Sequence, residues 1–245
     1  MTVMSGFYQA VYQRFPEFLK RRINPLEFAI QEFVARMARE ISAPSIVLDA
    51  GAGEVRFAAH FREARYLAVD LAVGDPEWDY SRIDVRANLE ALPFRANSVD
   101  VVLNIQVLEH VRKPDVVVRE FYRILKPGGK LLLTAPQGWH EHQKPHDYYR
   151  FTQYSLRELF RTAGFEDCRI EPMGGYFHYL GHRLTYIPKT IFQPRKGWER
   201  VVFFPLELAS LVLFCFLLPV VCFYLDRLDG QKEFTLGYRC EAFKG

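Results

Sequence analysis

The sequence predicts an α/β fold built on a doubly wound, mostly parallel sheet, and three stretches carry that prediction. In Ile46 to Phe57, IVLDAGAGEVRF, a continuous apolar run ends in an acid and passes into two glycines spaced one apart. Such a run suits a strand buried on both faces of a parallel sheet. Tyr66 to Asp70, YLAVD, is a second apolar run ending in an acid, and strand-like and helix-like segments alternate from Asp100 to Glu171. Alternation of this kind places the ligand site at the carboxyl ends of the strands.

Each element has its own signal. Gly6 to Leu19 mixes aromatics with Gln, Arg and Glu, unlike the apolar core of a signal peptide. Pro25 to Ile41 sets Leu26, Ile30, Phe33, Val34 and Met37 at helical spacing and ends at Ser42, Ala43 and Pro44, so residues 1–44 are expected to form N-terminal cover helices. After the first strand, Gly51 and Gly53 remove side chains where the backbone turns sharply and let a ligand approach the main chain. A helix is expected to start there, offering unpaired N–H groups. Asp70, about 17 residues after Gly53, can accept hydrogen bonds from both hydroxyls of a ribose, a pairing that dinucleotide enzymes share.

Leu71 to Asp84 reads as a loop, with a short third strand after Asp84. Asp100 to Asn104 is the fourth strand. Pro114 to Leu125 reads as a helix with Val116, Val117, Phe121 and Leu125 on one side, stopped by Pro127, Gly128 and Gly129. Lys130 to Ala135 is the fifth strand, Tyr154 to Ala163 a helix, and Asp167 to Glu171 the sixth strand.

Composition narrows the function. The 245 residues are 49% hydrophobic and 15% aromatic, enough for one α/β domain with a sizeable core plus an attachment. A net charge of +3, with no basic run longer than Lys20 to Arg22, argues against nucleic acid as a partner. Cys168, Cys215, Cys222 and Cys240 lack metal-type spacing and read as reduced packing residues of a cytosolic protein.

The choice of cofactor rests on Asn88 to Phe94, NLEALPF, then Ser98 to His110, SVDVVLNIQVLEH, and Ile124 to Lys130, ILKPGGK. Taken in order with the glycine turn, these segments closely resemble the class I S-adenosylmethionine-dependent methyltransferases, particularly the type 11 group that includes quinone-biosynthesis methyltransferases. The resemblance runs from Ile46 to about Phe165. It implies a Rossmann-like seven-stranded sheet with an antiparallel last strand, and S-adenosylmethionine as cofactor. By the same resemblance, Asp49, Gly51 and Gly53 face the methionine part, and Asp70 takes the ribose hydroxyls. Asn88 stands where the family usually has an aspartate receiving the adenine amino group, and its amide oxygen can accept the same bond. The Leu89 backbone would lie against the adenine, and Asn104 and Gln106 would flank the methionine and sulfonium. Val55, preceded by Glu54, replaces the third glycine of the usual turn. A valine suits that position only with an ordinary backbone conformation, and otherwise lowers cofactor affinity.

Pro136 to Thr152, PQGWHEHQKPHDYYRFT, concentrates histidines, tyrosines, an acid and an arginine in a loop after the fifth strand. Hydrogen bonding within the loop is one reading. Metal ligation by His140, His142, His146 and Asp147 is another, although methyl transfer needs no metal and none is expected. The preferred reading is a substrate-side lid. A related subgroup of the family carries a similar His-x-x-x-Pro-x-Asp-x-x-Arg-[Phe/Tyr]-Thr element, matched here by His142, Pro145, Asp147, Arg150, Phe151 and Thr152. In-line displacement asks the protein mainly to position the nucleophile and exclude water. His142 or His146, with His110 third, is the expected proton acceptor, and Trp139, Tyr149 and Arg150 are expected to meet the substrate.

The family's last strand matches only at Phe234 to Phe243, which leaves an insertion of about sixty residues. The expected organisation is therefore 1–44 as cover helices, 45–175 with 232–245 as the methyltransferase core, and 176–231 as a hydrophobic helical insertion. Within it, Val201 to Leu225 is apolar and long enough to span a bilayer, with Glu207 its only charge. The return of the chain to the sheet and the prolines Pro205 and Pro219 argue for a broken, re-entrant or interfacial element. Arg195, Lys196 and Arg200 would meet anionic head groups. The resulting expectation is methylation, on oxygen or carbon, of a small or lipid-linked acceptor at the cytoplasmic face of the cell membrane. A soluble acceptor with the insertion as a homodimer interface, and a non-catalytic binding partner of the same fold, are the alternatives.

Overall fold

The structure is a computed structural model that describes residues 11–75, 77–192 and 198–245. Contacts divide the chain into two compact units: Ile30–Met173 with Gly237–Gly245, and the residues up to Ala29 with Gly174–Leu236. The division falls inside α2 (Pro25–Glu40), which follows the shorter α1 (Glu17–Ile23).

The first unit is the α/β core. Its strands are β1 (Ile46–Ala50), β2 (Arg65–Asp70), β3 (Val85–Arg86), β4 (Val99–Ile105), β5 (Leu125–Pro136), β6 (Asp167–Pro172) and β7 (Gly237–Phe243). They form one sheet in the order β3-β2-β1-β4-β5-β7-β6. β1 to β5 pair in parallel, while β7 runs antiparallel to both β5 and β6. The strand order reverses between β1 and β4, and in open α/β sheets the ligand crevice lies at such a reversal. Val47, Leu48, Val102, Leu103, Leu131, Leu132 and Leu133 are fully buried, as central strands covered on both faces must be.

Two helices, α3 (Pro114–Ile124) and α4 (Gln153–Ala163), connect β4 to β5 and β5 to β6. Pro114 opens α3, and Val117, Val118, Phe121 and Ile124 form its buried face. Thr152 caps α4: its Oγ1 accepts from Ser155 N at 3.2 Å while Ser155 Oγ accepts from Thr152 N at 3.0 Å.

Two expectations change here. Among the described residues no α-helix follows Gly53; turns lead instead into a 3-10 turn, Ala58–His60. Val55 is the cause, because its φ of +58° takes the backbone into the left-handed region. That conformation is costly for a β-branched residue. Its side chain is buried beside Ala52 and Ala68, and this burial offsets the strain. The second change is that Pro127, Gly128 and Gly129 lie within β5, which begins directly after α3.

The second unit is helical. It holds α5 (Tyr176–Leu184), α6 (Ile187–Ile191), α7 (Trp198–Val212), a π-helical turn at Leu213–Leu217 and α8 (Leu218–Leu225). Gly181 brings α5 close to α8, since a Cβ there would lie 2.9 Å from Cys222 Cβ. Asp226, 5% exposed, accepts from Gly175 N at 3.0 Å and His178 N at 2.8 Å, so it caps the start of α5. Arg22 of α1 donates from Nε to the Tyr224 hydroxyl at 2.7 Å.

The prolines do not break the insertion, because Val201–Leu228 forms a continuous helix. The ring of Pro219 would clash with the carbonyl four residues earlier, at Cys215, and that residue sits in the widened π-helical turn. Arg195 and Lys196, as well as the side chain of Arg200, lie outside the described residues.

The cap gives a direct prediction. Asp226→Ala should speed amide exchange at Gly175 and His178 about 5- to 30-fold, the equivalent of roughly 1–2 kcal/mol, while Asp226→Asn changes it less. Equal protection in wild type and the alanine variant would show that the cap contributes nothing.

Candidate active site

The chain turns as soon as β1 ends. Gly51 has φ +90° and Gly53 φ +50°, and a Cβ on Gly51 would lie 2.5 Å from the methyls of Val107. Glycine is therefore required at Gly51 by both conformation and space. Asp70, at the end of β2, holds the turn: Oδ2 accepts from Gly53 N at 2.9 Å and Oδ1 from Ala72 N at 2.7 Å. Each oxygen keeps a second lone pair, so two neighbouring hydroxyls can still be received. Trp78 covers the turn, its ring 3.2 Å from where a Cβ on Gly53 would stand. Sequence reasoning missed Trp78, which sits in a stretch without periodicity.

Asp49 is 2% exposed and accepts a hydrogen bond from the Tyr66 hydroxyl. Burial pushes its carboxyl up to about 7, against the Tyr66 hydrogen bond and with help from the Asp70 charge. Asn104 Nδ2 donates to the Ala50 carbonyl at 2.7 Å, and its Oδ1 is buried without a partner. Gln106, at φ +54°, donates from Nε2 to Thr134 Oγ1 at 3.1 Å. Asn88 Oδ1 accepts from Glu90 N at 2.9 Å, closing a local turn, and the Leu89 side chain is buried in the core.

A cofactor that presents an ammonium and a ribose suits these donors and acceptors. The orphaned Asn104 oxygen is an acceptor without a donor, Asp49 is a buried acid close to the turn, and Asp70 keeps lone pairs for two hydroxyls.

The loop after β5 is fastened by its own groups. Arg150 uses all five N–H bonds within it. Nε donates to Trp139 O, Nη1 to Asp147 Oδ1 and Tyr149 O, and Nη2 to His140 O and Asp147 Oδ2, at 2.6–3.1 Å. The expectation that Arg150 meets substrate is corrected accordingly, since it has no donor left. The guanidinium holds the Asp147 carboxyl down at about 2. Tyr149 donates from its hydroxyl to Arg112 O at 2.9 Å, and Trp139 stacks on His140 with centroids 5.8 Å apart.

The expected proton acceptors are not equivalent. His110 and His142 meet edge to face, centroids 4.6 Å apart, beside Glu109. His146 stands outside this group, with Nδ1 3.1 Å from the Tyr148 hydroxyl. Glu109 was not singled out from sequence, although it lies in the quoted LEH motif. It is fully buried in a 3-10 turn, Leu108–His110, and both carboxylate oxygens lack partners. Burial raises its carboxyl to about 8. Burial likewise lowers His110, against the hydrogen bond to the His146 carbonyl.

Known proteins resemble this chain in sequence and fold. Residues 48–133 match the family model described as a methyltransferase domain. A probable S-adenosylmethionine-dependent methyltransferase of Mycolicibacterium smegmatis is 35% identical over 55% of this chain and 56% of its own length. One from Mycobacterium tuberculosis is 35% identical over 54% and 52%. The chain thus spans about half the length of these relatives. An S-adenosylmethionine-dependent methyltransferase structure from Archaeoglobus fulgidus superposes with a TM-score of 0.57 at 13% identity, covering 93% of this chain and 99% of that one. A Haemonchus contortus phosphoethanolamine N-methyltransferase bound to S-adenosylhomocysteine superposes at 0.50 with 19% identity, over 87% and 53%. The core thus resembles the S-adenosylmethionine-dependent methyltransferases, whose cofactor the β1 turn suits.

Asp49 makes stability depend on pH. Its ordinary value is 3.8, so between about pH 4 and 7 the folded protein keeps a proton that the unfolded chain has lost. Stability is highest below that window and falls as pH rises through it, by up to about 1.4 kcal/mol per pH unit from this group. Urea unfolding at pH 5 and 6.5 should show a smaller fall for Asp49→Asn than for wild type; equal falls would place the titration elsewhere.

Proposed function

We propose that the protein transfers a methyl group from S-adenosylmethionine to an oxygen or carbon of a small or lipid-linked acceptor at the cytoplasmic face of the cell membrane. One observation carries the transfer reading. The β1 turn fastened by Asp70 and the Glu109, His110 and His142 group belong to the same unit and follow parallel strands of one sheet. Bound S-adenosylmethionine supplies an electrophilic methyl on a sulfonium. Asp49, ionised by the approach of the cofactor's ammonium, pairs with it, and Asn104 and Gln106 flank the methionine. Asp70 receives the ribose hydroxyls, while Asn88 and Leu89 lie against the adenine. The acceptor's proton goes to the histidine group, in which His142 is the most accessible member. Its side chain is 24% exposed, against 12% for His110.

The membrane reading rests on the helical unit. The outward face of Val201–Leu228 exposes Val201, Val202, Leu206, Leu217, Val221 and Leu228, each more than half exposed. Glu207, the only charge between Val201 and Leu225, is 8% exposed. A core helix of a soluble domain buries its leucines and turns its acid outward; this helix does the reverse.

Two measurements test the two halves. Calorimetric titration with S-adenosylhomocysteine should show saturable binding that Asp70→Ala weakens about 10- to 100-fold, the loss of one charge-assisted hydrogen bond or slightly more. Absence of heat with wild type would favour the non-catalytic partner. In flotation with phosphatidylglycerol-containing vesicles, wild type should rise with the lipid and a variant with Val201 to Leu225 replaced by a polar linker should not. A wild-type dimer that does not float, and that the variant loses, would instead make the insertion a dimer interface and direct the search to soluble acceptors.

A further inference from the structure

The tautomers of His110 and His142 are set by main-chain carbonyls. His110 Nδ1 lies 2.6 Å from the His146 carbonyl oxygen, and His142 Nδ1 lies 3.1 Å from that of His140. A carbonyl only accepts, so each Nδ1 carries the hydrogen and each Nε2 carries a lone pair. Both lone pairs face one carboxylate: His110 Nε2 is 3.8 Å and His142 Nε2 4.0 Å from Glu109 Oε1. Glu109 is fully buried, and neither its oxygens nor His110 Nε2 has a hydrogen-bond partner. The Glu109 carboxyl and the two imidazole lone pairs therefore converge without hydrogen bonds among them. Buried polar groups left unpaired cost stability, and a cation held between them would satisfy all three.

We propose that Glu109, His110 and His142 bind a divalent first-row transition metal ion such as zinc. One ligand atom from each residue lies within 4.8 Å of the others. Ligands around one ion at about 2.0–2.2 Å stand roughly 3.0–3.5 Å apart, so the longest separation must shorten by up to about 1.5 Å to complete the set. Two imidazoles and a carboxylate form a donor set used by zinc and iron(II) sites that keep a position open. The carbonyls on both Nδ1 atoms are the outer partners that metal-bound histidines require. Among the described residues the group takes only His142 from the histidine loop. Asp147 is taken by Arg150 and by His142 N at 2.8 Å, and His146 pairs with Tyr148. This departs from the expectation of no metal drawn from sequence, where Glu109 was not weighed.

An ion at this place would take an oxygen of the acceptor in its open position and make its proton easier to lose, with His142 acting as ligand in place of base. That consequence rests on the methyl-transfer reading; the binding of the ion does not.

The test uses the full chain stripped with a chelator and titrated with zinc chloride, with cobalt(II) absorption as a second readout. Wild type should bind one ion per chain, Glu109→Gln, His110→Ala and His142→Ala should each weaken binding at least about 100-fold, and His60→Ala should leave it unchanged. Zinc should also raise the melting temperature of wild type but not of His142→Ala, a partly exposed position whose variant is expected to fold. No stoichiometric ion in wild type, or equal binding in the His110 and His142 variants, would overturn the proposal. S-adenosylhomocysteine binding in the same samples separates the readings: retained without metal, it leaves methyl transfer standing; lost while metal binds, it removes methyl transfer alone.

Discussion

Two hydrogen bonds to one carboxylate hold the ligand edge of the core together. Asp70 ends β2, and by accepting from Gly53 N and Ala72 N it ties the turn after β1 to the loop after β2. Charge-assisted bonds of this kind contribute about 1.5–3 kcal/mol each. Where the sequence predicts a helix start, the Gly53 N–H is fixed by this acid instead. The left-handed Val55 and the close approach of Gly51 to Val107 are tolerable because the turn is over-determined. Asp49, one residue before the strand ends, is buried by the same closure.

The histidine loop is held on a different principle. Most of its fastenings use main-chain carbonyls or the Arg150 guanidinium, which accepts no hydrogen bond and spends every donor locally. Tyr148 N and Tyr149 N donate to the Glu109 carbonyl at 2.9 and 3.3 Å, so the loop is stitched to the 3-10 turn by backbone. The consequence is that His110 Nε2 and the Glu109 carboxyl remain without hydrogen-bond partners. Burying them so costs stability, and natural proteins retain such costs mainly at functional sites.

What the sequence makes legible follows from where the determining forces act. The buried strands, the helix after Pro114 and the two glycines are local patterns, and they stand where the sequence places them. Reading IVLDAGAGEVRF as strand, turn and helix fails at Val55, whose conformation is set by burial against Ala52 and Ala68. The ILKPGGK segment reads as a helix stop, yet it pairs with β4, as Val99 opposes Leu125. Arg150 and Asp147 are visible as motif residues, but only the fold shows that they bind each other. Glu109 is one acid among many until its burial is known.

The helical unit poses the same question on a larger surface. Removing a Val or Leu side chain from water is worth about 1.5–3 kcal/mol, and here many remain outside while Glu207 is inside. Sequence proposed that the prolines interrupt this segment, whereas the π-helical turn around Cys215 lets the helix run past Pro219. Continuity matters because it keeps the exposed side chains on one rod. A broken helix could fold its apolar residues onto one another; a continuous one cannot cover itself. The apolar cover must then come from outside the helix, which is the physical ground for proposing a bilayer and for testing a second copy of the chain against it.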